Sequence, residues 1–290
     1  MDVKKMTTII DGKALAQKVE SEAAEKARAL QAKNIFPKLV TVLVGEDPAS
    51  KMYVRMKIKA CERIGIEAED RFLPETASEE EVLALVRELN EDPSVSGILV
   101  QLPLPKQINA QTVMNAVDPK KDADGFHPFN MGNLMIGNEG LVPCTPKGVI
   151  RMFEEYNIDL TGKEAVVIGR SNDVGKPMVA LLINRGATVT VCHSRTKDLR
   201  AATQKADILV VGIGRKHFIK EDMVKDGAVV IDVGITKDET GTHGDVDFEN
   251  VSGKTSYITP VPGGVGPMTI AVLMSQVVRC AELLAGCDND

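Results

Sequence analysis

VVIGRSNDVGKPMVALLINRG, residues 166–186, runs from a β-branched apolar stretch through a glycine turn into a helix-forming stretch. Gly169 and Gly175 bracket the turn, so backbone amides at the helix start face an anion with the helix dipole behind them. The turn does not match GxGxxG, and alone it is equally well a tight structural connection. Its surroundings separate the two readings. Apolar strand patterns follow at 188–192, 207–212, 228–233 and 255–258, with helical patterns between most of them. A parallel α/β nucleotide-binding domain is the expected result, its strand-to-helix turn facing a cofactor.

About 20 residues past the turn, where a dinucleotide's ribose is read, an NAD site usually offers an acid. Here the second strand ends TVTVCHSRT and offers His193, Ser194 and Arg195. A serine hydroxyl with the guanidinium of Arg170 or Arg195 suits a ribose 2′-phosphate, so NADP is expected rather than NAD. Arg195 as a plain loop cation is the competing reading.

Upstream, helix and strand patterns alternate again: helix 12–33, strand 39–44, helix 48–64, strand 67–73, helix 78–90 and strand 97–101. Asp47 and Pro48 suit a helix start and Gly65 a helix end, while Ser78 with Glu81 forms a capping-box pattern. Residues 102–145 are irregular and rich in Pro, Gly and Asn, the composition of functional loops. A last helix, about 268–285, has no strand after it and is expected to return to the first domain. The fold class is therefore two α/β domains with an interdomain cleft. Residues 1–146 plus 269–290 form the first, and residues 147–268 form a Rossmann-like NADP-binding domain.

With 290 residues, 43% hydrophobic and 26% charged, the chain is expected to be globular rather than disordered. A net charge of −6 argues against a nucleic-acid or anionic-membrane surface and leaves small-molecule chemistry. The odd set of five cysteines has no CxxC pair and no zinc spacing, which points to a reducing, cytoplasmic setting and no metal. The N-terminal apolar run is too short for a secretory signal. The uncharged run Ser256–Val278 contains Pro260, Pro262 and Pro267, so it reads as a loop and helix rather than a membrane span.

On the 48–64 helix, Lys51, Arg55, Lys59 and Glu62 fall in a sector about 80° wide, the solvated face. Lys57 projects about 200° from its middle, beside Tyr53, Ala60, Cys61 and Ile64. An inward lysine costs several kcal/mol unless it finds acceptors or loses its proton. It is either held there for chemistry or packed by its stem with the ammonium at the rim.

Several stretches then resemble one family in order along nearly the whole chain: GEDPASKMYVRMKIKACERIGI, GILVQLPLP, KDADGFHPFNMGNL, PCTPKGV, VVIGRS, IDVGI, GDVDF and ITPVPGGVGPMT. They resemble the bifunctional methylenetetrahydrofolate dehydrogenase/cyclohydrolases. The resemblance implies oxidation of 5,10-methylenetetrahydrofolate with NADP, hydrolysis to 10-formyltetrahydrofolate, and a homodimer in the one-carbon metabolism behind purine, methionine and histidine synthesis. It implies catalytic roles for Tyr53, Lys57, Gln101 and Asp124, and reduced-folate binding by Tyr53, Asp124, Pro262, Gly263 and Gly264. NADP contacts carry over to Gly169, Arg170, Ser171, Ser194 and Ile235, with Arg195 and Thr145 as further candidates.

Gln101, at a strand's carboxyl end, is either a strand cap or an acceptor for Lys57. Asp124 can take a pterin's ring N–H and exocyclic amine as a fork, with Asp122 expected to be merely solvated. A calcium loop at DADG fails, because the remaining EF-hand ligands do not follow. His127 is a candidate ligand contact, and His217 and His243 are expected at the surface. One departure stands out: the family's GxSxIVGxP turn has Asp173 in place of isoleucine, an acid unfavourable near a pyrophosphate unless it points away or caps the helix. The rival readings are an NADP dehydrogenase for a shikimate-type substrate and an inactive folate- or nucleotide-binding protein.

Overall fold

A computed structural model describes residues 7–287. Its first elements are β1 (Thr8–Ile9), α1 (Gly12–Gln31), β2 (Lys38–Val44), α2 (Pro48–Ile64), β3 (Glu67–Leu73), α3 (Glu79–Glu91) and β4 (Gly97–Val100). Then come α4 (Ala110–Ala116), α5 (Pro128–Met135), α6 (Cys144–Glu155), β5 (Glu164–Ile168), α7 (Gly175–Asn184), β6 (Thr188–Cys192), α8 (Leu199–Thr203) and β7 (Ile208–Val211). The last are β8 (Val229–Asp232), β9 (Thr236–Asp238), β10 (Gly241–His243), α9 (Phe248–Val251), β11 (Tyr257–Ile258) and α10 (Val265–Leu284). Two compact units result. The first comprises Gln17–Cys144 and the chain from Ile270; the second comprises Thr145–Thr269 and the chain up to Ala16.

In the first unit β2 lies between β3 and β4, both parallel to it. Leu39 through Val44 are all buried, because helices cover both faces of a parallel sheet. Val40, Val42, Ile98 and Val100 pack on Val82, Val86 and Leu89 of α3 and Val113 of α4. α2 starts where Asp47 accepts from Ser50 N at 2.7 Å and ends where Gly65 turns left-handed at φ 75°. α3 carries the full reciprocal capping box of Ser78 and Glu81.

The stretch expected to be irregular holds two short helices. Asn109 caps α4 through Gln111 N at 2.9 Å, and His127 caps α5 through Phe129 N at 3.0 Å. Helices of seven and eight residues show too few turns for an apolar period to register. Residues 121–123 also run beside β4: Ile98 N donates to Lys121 O at 2.7 Å and Ala123 N to Ile98 O at 3.3 Å. The part of α10 in this unit is core. Ala271, Met274 and Val277 are each 0% exposed, although the helix is long and apolar enough to cross a membrane by composition alone.

The second unit has a six-stranded sheet in the order β1-β11-β8-β7-β5-β6, every pair parallel. Strands extend from β5 in both directions, so the carboxyl ends of β5 and β7 form a topological switch point. The chain's start joins this sheet, with Thr8 opposite Tyr257 and Ile9 opposite Ile258. The sequence reading had put this segment in the first domain; a two-residue strand has no pattern that would place it. The outermost ends of that expected domain, residues 1–6 and 288–290, lie outside the described residues.

Candidate functional site

On α2 the two faces separate as the helical projection expects. Arg55 and Lys59 are exposed, Tyr53 and Lys57 are half-buried, and Ala60, Cys61 and Ile64 are buried. Lys51, expected on the solvated face, is half-buried and forms an ion pair with Glu46. Lys57 Nζ instead donates to Gln101 Oε1 at 2.9 Å. The Gln101 amide is oriented by its other end, since Nε2 donates to Leu102 O at 2.7 Å, and its backbone N donates to Val42 O at 2.9 Å. A strand-end glutamine thus presents a fixed carbonyl oxygen to the lysine.

Asp124 belongs to the same electrostatic neighbourhood. Burial pushes its carboxyl up to about 6, the positive charge of Lys57 pulls it back, and the negative charge of Asp122 adds to the rise. Asp122 corrects the sequence reading. It is 4% exposed, not solvated, and accepts from Gly125 N (3.0 Å), Phe126 N (3.2 Å), His127 N (2.8 Å) and Asn130 Nδ2 (2.8 Å). His127, the candidate ligand contact, has both ring nitrogens engaged by the fold. Nδ1 accepts from Phe129 N, and Nε2 lies 3.2 Å from Asn115 O. His217 and His243 are half-buried and pack edge to face, with ring centroids 5.3 Å apart.

In the second unit the turn after β5 leaves no space to spare. A Cβ at Gly175 would lie 2.5 Å from Gly169 O and 2.7 Å from Arg170 Cα, both unyielding backbone. Ser171 Oγ accepts from Val174 N and Gly175 N at 3.3 Å each and so ties the turn to the start of α7, while Val174 stands at the N-cap and Asp173 is exposed. Arg170, Ser194 and Arg195 are exposed, and Arg195 N donates to His193 Nδ1 at 3.2 Å. No carboxylate stands at the end of β6, and the tight turn opens α7: the residues present fit an NADP phosphate end. Gly175→Ala should therefore raise the NADP dissociation constant by about 10- to 100-fold, the effect of 1–3 kcal/mol of overpacking, as measured by NADPH fluorescence titration.

Ile235 follows β8 and is 46% exposed. Thr145 Oγ1 sits 2.8 Å from Thr269 Oγ1, while Pro262, Gly263 and Gly264 form the turn before α10, with Gly263 O accepting from Lys13 N at 3.1 Å. The residues expected to touch folate are thus divided between the two units. Two carboxylates the sequence reading passed over organise the loops after β7 and β8. Asp245, 0% exposed, accepts from Ile213 N (2.6 Å), Gly214 N (3.1 Å) and Arg215 N (2.6 Å). Asp232 accepts from Gly234 N and Asp245 N (3.0 Å each) and Val246 N (2.8 Å). Burial pushes Asp232 up to about 7, opposed by these amides and reinforced by the Asp245 charge. Their motifs, IDVGI and GDVDF, were legible; their burial was not.

Residues 10–124 match the sequence profile of the tetrahydrofolate dehydrogenase/cyclohydrolase catalytic domain, and residues 143–285 match that of the same family's NAD(P)-binding domain. The chain belongs to the tetrahydrofolate dehydrogenase/cyclohydrolase family. A member from Methanosarcina barkeri, named bifunctional protein FolD, is 62% identical over 94% of this chain and 96% of its own. The family's bifunctional enzyme from Campylobacter jejuni superposes with TM-score 0.94 at 51% identity, covering 96% of this chain and 99% of that one. The Trypanosoma brucei enzyme, solved with NADP and an inhibitor, gives TM-score 0.91 at 35% identity over 96% and 98%.

Proposed function

We infer that this protein oxidises 5,10-methylenetetrahydrofolate to the 5,10-methenyl cation with NADP and then hydrolyses that cation to 10-formyltetrahydrofolate. The observation that supports the reading most is the Lys57 Nζ to Gln101 Oε1 bond, 2.9 Å, with Asp124 under the influence of the same ammonium. Neither a shikimate-type dehydrogenase nor a passive folate binder needs this constellation.

NADP, when bound, supplies the hydride acceptor for the first reaction. The protein's part there is positioning, since hydride loss from the methylene carbon needs no base. Asp124 anchors the pterin by accepting its ring N–H and exocyclic amine. Tyr53, one helical turn before Lys57, shapes the lysine's surroundings and stacks on or hydrogen-bonds the substrate. Pro262, Gly263 and Gly264 let backbone approach the flat ring closely. In the second reaction Lys57, oriented by Gln101, assists addition of water to the cation and passes a proton during ring opening. Gly169, Arg170, Ser171, Thr145, Ser194, Arg195 and Ile235 hold the cofactor, the serine and arginines reading the 2′-phosphate.

A pH dependence follows from Asp124. Its carboxyl, raised to about 6, accepts both donors of the ring only when ionised. The KM for methylenetetrahydrofolate should therefore rise as pH falls through that value, by about tenfold near pH 5, where about a tenth remains ionised. The function itself is tested by NADPH formation from NADP and methylenetetrahydrofolate, with shikimate as the control substrate. Turnover of the folate alone supports the reading; turnover of shikimate, or of neither, overturns it. The five cysteines, four of them buried, suit a cytosolic home, and the family resemblance supports a homodimer.

A further inference from the structure

We propose that Asp122 is a positioning residue for Asp124, holding the Ala123–Gly125 turn so that the Asp124 carboxylate is presented to the pterin in one fixed direction. The proposal rests on the reading that Asp124 binds the folate ring.

The backbone on either side of Asp124 is tied down at Ala123 N, Ala123 O and Gly125 N. Ala123 N donates to Ile98 O on β4, and Ala123 O accepts from Gln276 Nε2 of α10 at 2.8 Å. Gln276 is 0% exposed, and its Oε1 accepts from Val142 N at 2.9 Å, so one buried amide joins the turn to the chain that passes beside it. Gly125 N donates to Asp122 twice, to the backbone oxygen at 3.2 Å and to Oδ1 at 3.0 Å. Gly125 itself lies at φ 77°, and a Cβ there would fall 2.4 Å from the Val142 carbonyl carbon.

Asp122 is the hub of this arrangement. Its two oxygens gather three consecutive amides, those of residues 125 to 127, and the side chain of Asn130, whose Nδ2 also donates to Pro119 O at 2.9 Å. A carboxylate that accepts from four donors inside the protein fixes the chain around it, because moving it would break several charge-assisted bonds at once. Asp124, half-buried in the same turn, is the acid whose carboxyl burial raises to about 6. The charges acting on it are Lys57 of α2 and Asp122 of its own turn.

Asp122→Asn keeps the shape but replaces an acceptor oxygen with a donor amine, so at most part of the four-donor set survives. The folate KM should rise about tenfold, the cost of a displaced charge-assisted contact, with the NADP dissociation constant unchanged. The pH at which folate KM rises should move downward, because the Asp122 charge no longer opposes ionisation of Asp124. In an Asp124→Asn background, Asp122→Asn should add little, because there is then no carboxylate left to aim. Asn130→Ala, which removes one donor and leaves the acid, should shift KM in the same direction by about two- to fivefold and keeps the test open if Asp122→Asn does not fold.

If both variants weaken NADP and folate binding together, leave the pH midpoint in place and add fully to Asp124→Asn, Asp122 is only structural and the proposal is wrong. A wild-type folate KM in Asp124→Asn would instead remove the reading on which it rests. Asp124→Asn weak in folate binding with Asp122→Asn and Asn130→Ala unaffected would overturn the positioning role alone.

Discussion

Lys57→Met should lower cyclohydrolase turnover by about 10²- to 10⁴-fold, the range for loss of a positioned proton-transfer group. Dehydrogenase turnover should fall by no more than about tenfold, because hydride loss asks for orientation and not for a base. Methionine preserves the half-buried apolar stem on α2 and removes the ammonium that donates to Gln101 Oε1. Water still reaches the methenyl cation, but nothing gives a proton to the departing ring nitrogen and takes one back from the added hydroxyl. The split between activities is the informative part. It is read by supplying methenyltetrahydrofolate directly for the second step and methylenetetrahydrofolate with NADP for the first, with circular dichroism to show that the variant is folded. Equal losses in both would mean that Lys57 acts on binding of the shared ring system rather than on hydration.

Asp124→Ala should reduce kcat/KM of both activities by about 10²- to 10³-fold, since both reactions use the same pterin and the variant would lose the two hydrogen bonds proposed for its carboxylate. NADP affinity should not change. Stability should move the other way. The folded carboxyl is raised from 3.8 to about 6, so its ionised form costs nothing below the lower value and its full penalty above the higher one. Removing it should stabilise the protein above about pH 6, by at most about 3 kcal/mol, and not below about pH 4. Melting curves at the two extremes of pH separate this from an ordinary cavity, which would destabilise at both. On the proposed role of Asp124, the result would be a form of the stability and activity trade-off.

Much of this was legible in the chain because its signals are local. α2 runs Pro48–Ile64, the range its flanking Asp47 and Gly65 announce, and the 3.6-residue period set Lys57 apart from Arg55 and Lys59. The VVIGRS turn and the strands after it announced a parallel α/β domain because β-branched runs and glycines are local too. What was missed depends on distant partners or on shortness. β1 is two residues long and exists through its pairing with β11. The hairpin of β9 and β10 has three-residue strands, and α4 and α5 show caps without enough turns to display a period. Asp122 looked solvated because an acid in a Pro- and Gly-rich loop usually is. Its burial comes from Ile98, Gly125 and Asn130 meeting it in space. Gln101 as the acceptor of Lys57 is likewise a contact 44 residues apart, suggested by motif and strand end but made by the sheet.

The central claim is that one chain performs two consecutive reactions on one folate. Its most direct test gives the unmodified protein 5,10-methylenetetrahydrofolate and NADP and follows NADPH, methenyltetrahydrofolate and 10-formyltetrahydrofolate together. The prediction is one 10-formyltetrahydrofolate for each NADPH, with the methenyl compound passing through a transient. NADPH with methenyltetrahydrofolate as the lasting product, or no NADPH at all, would contradict it.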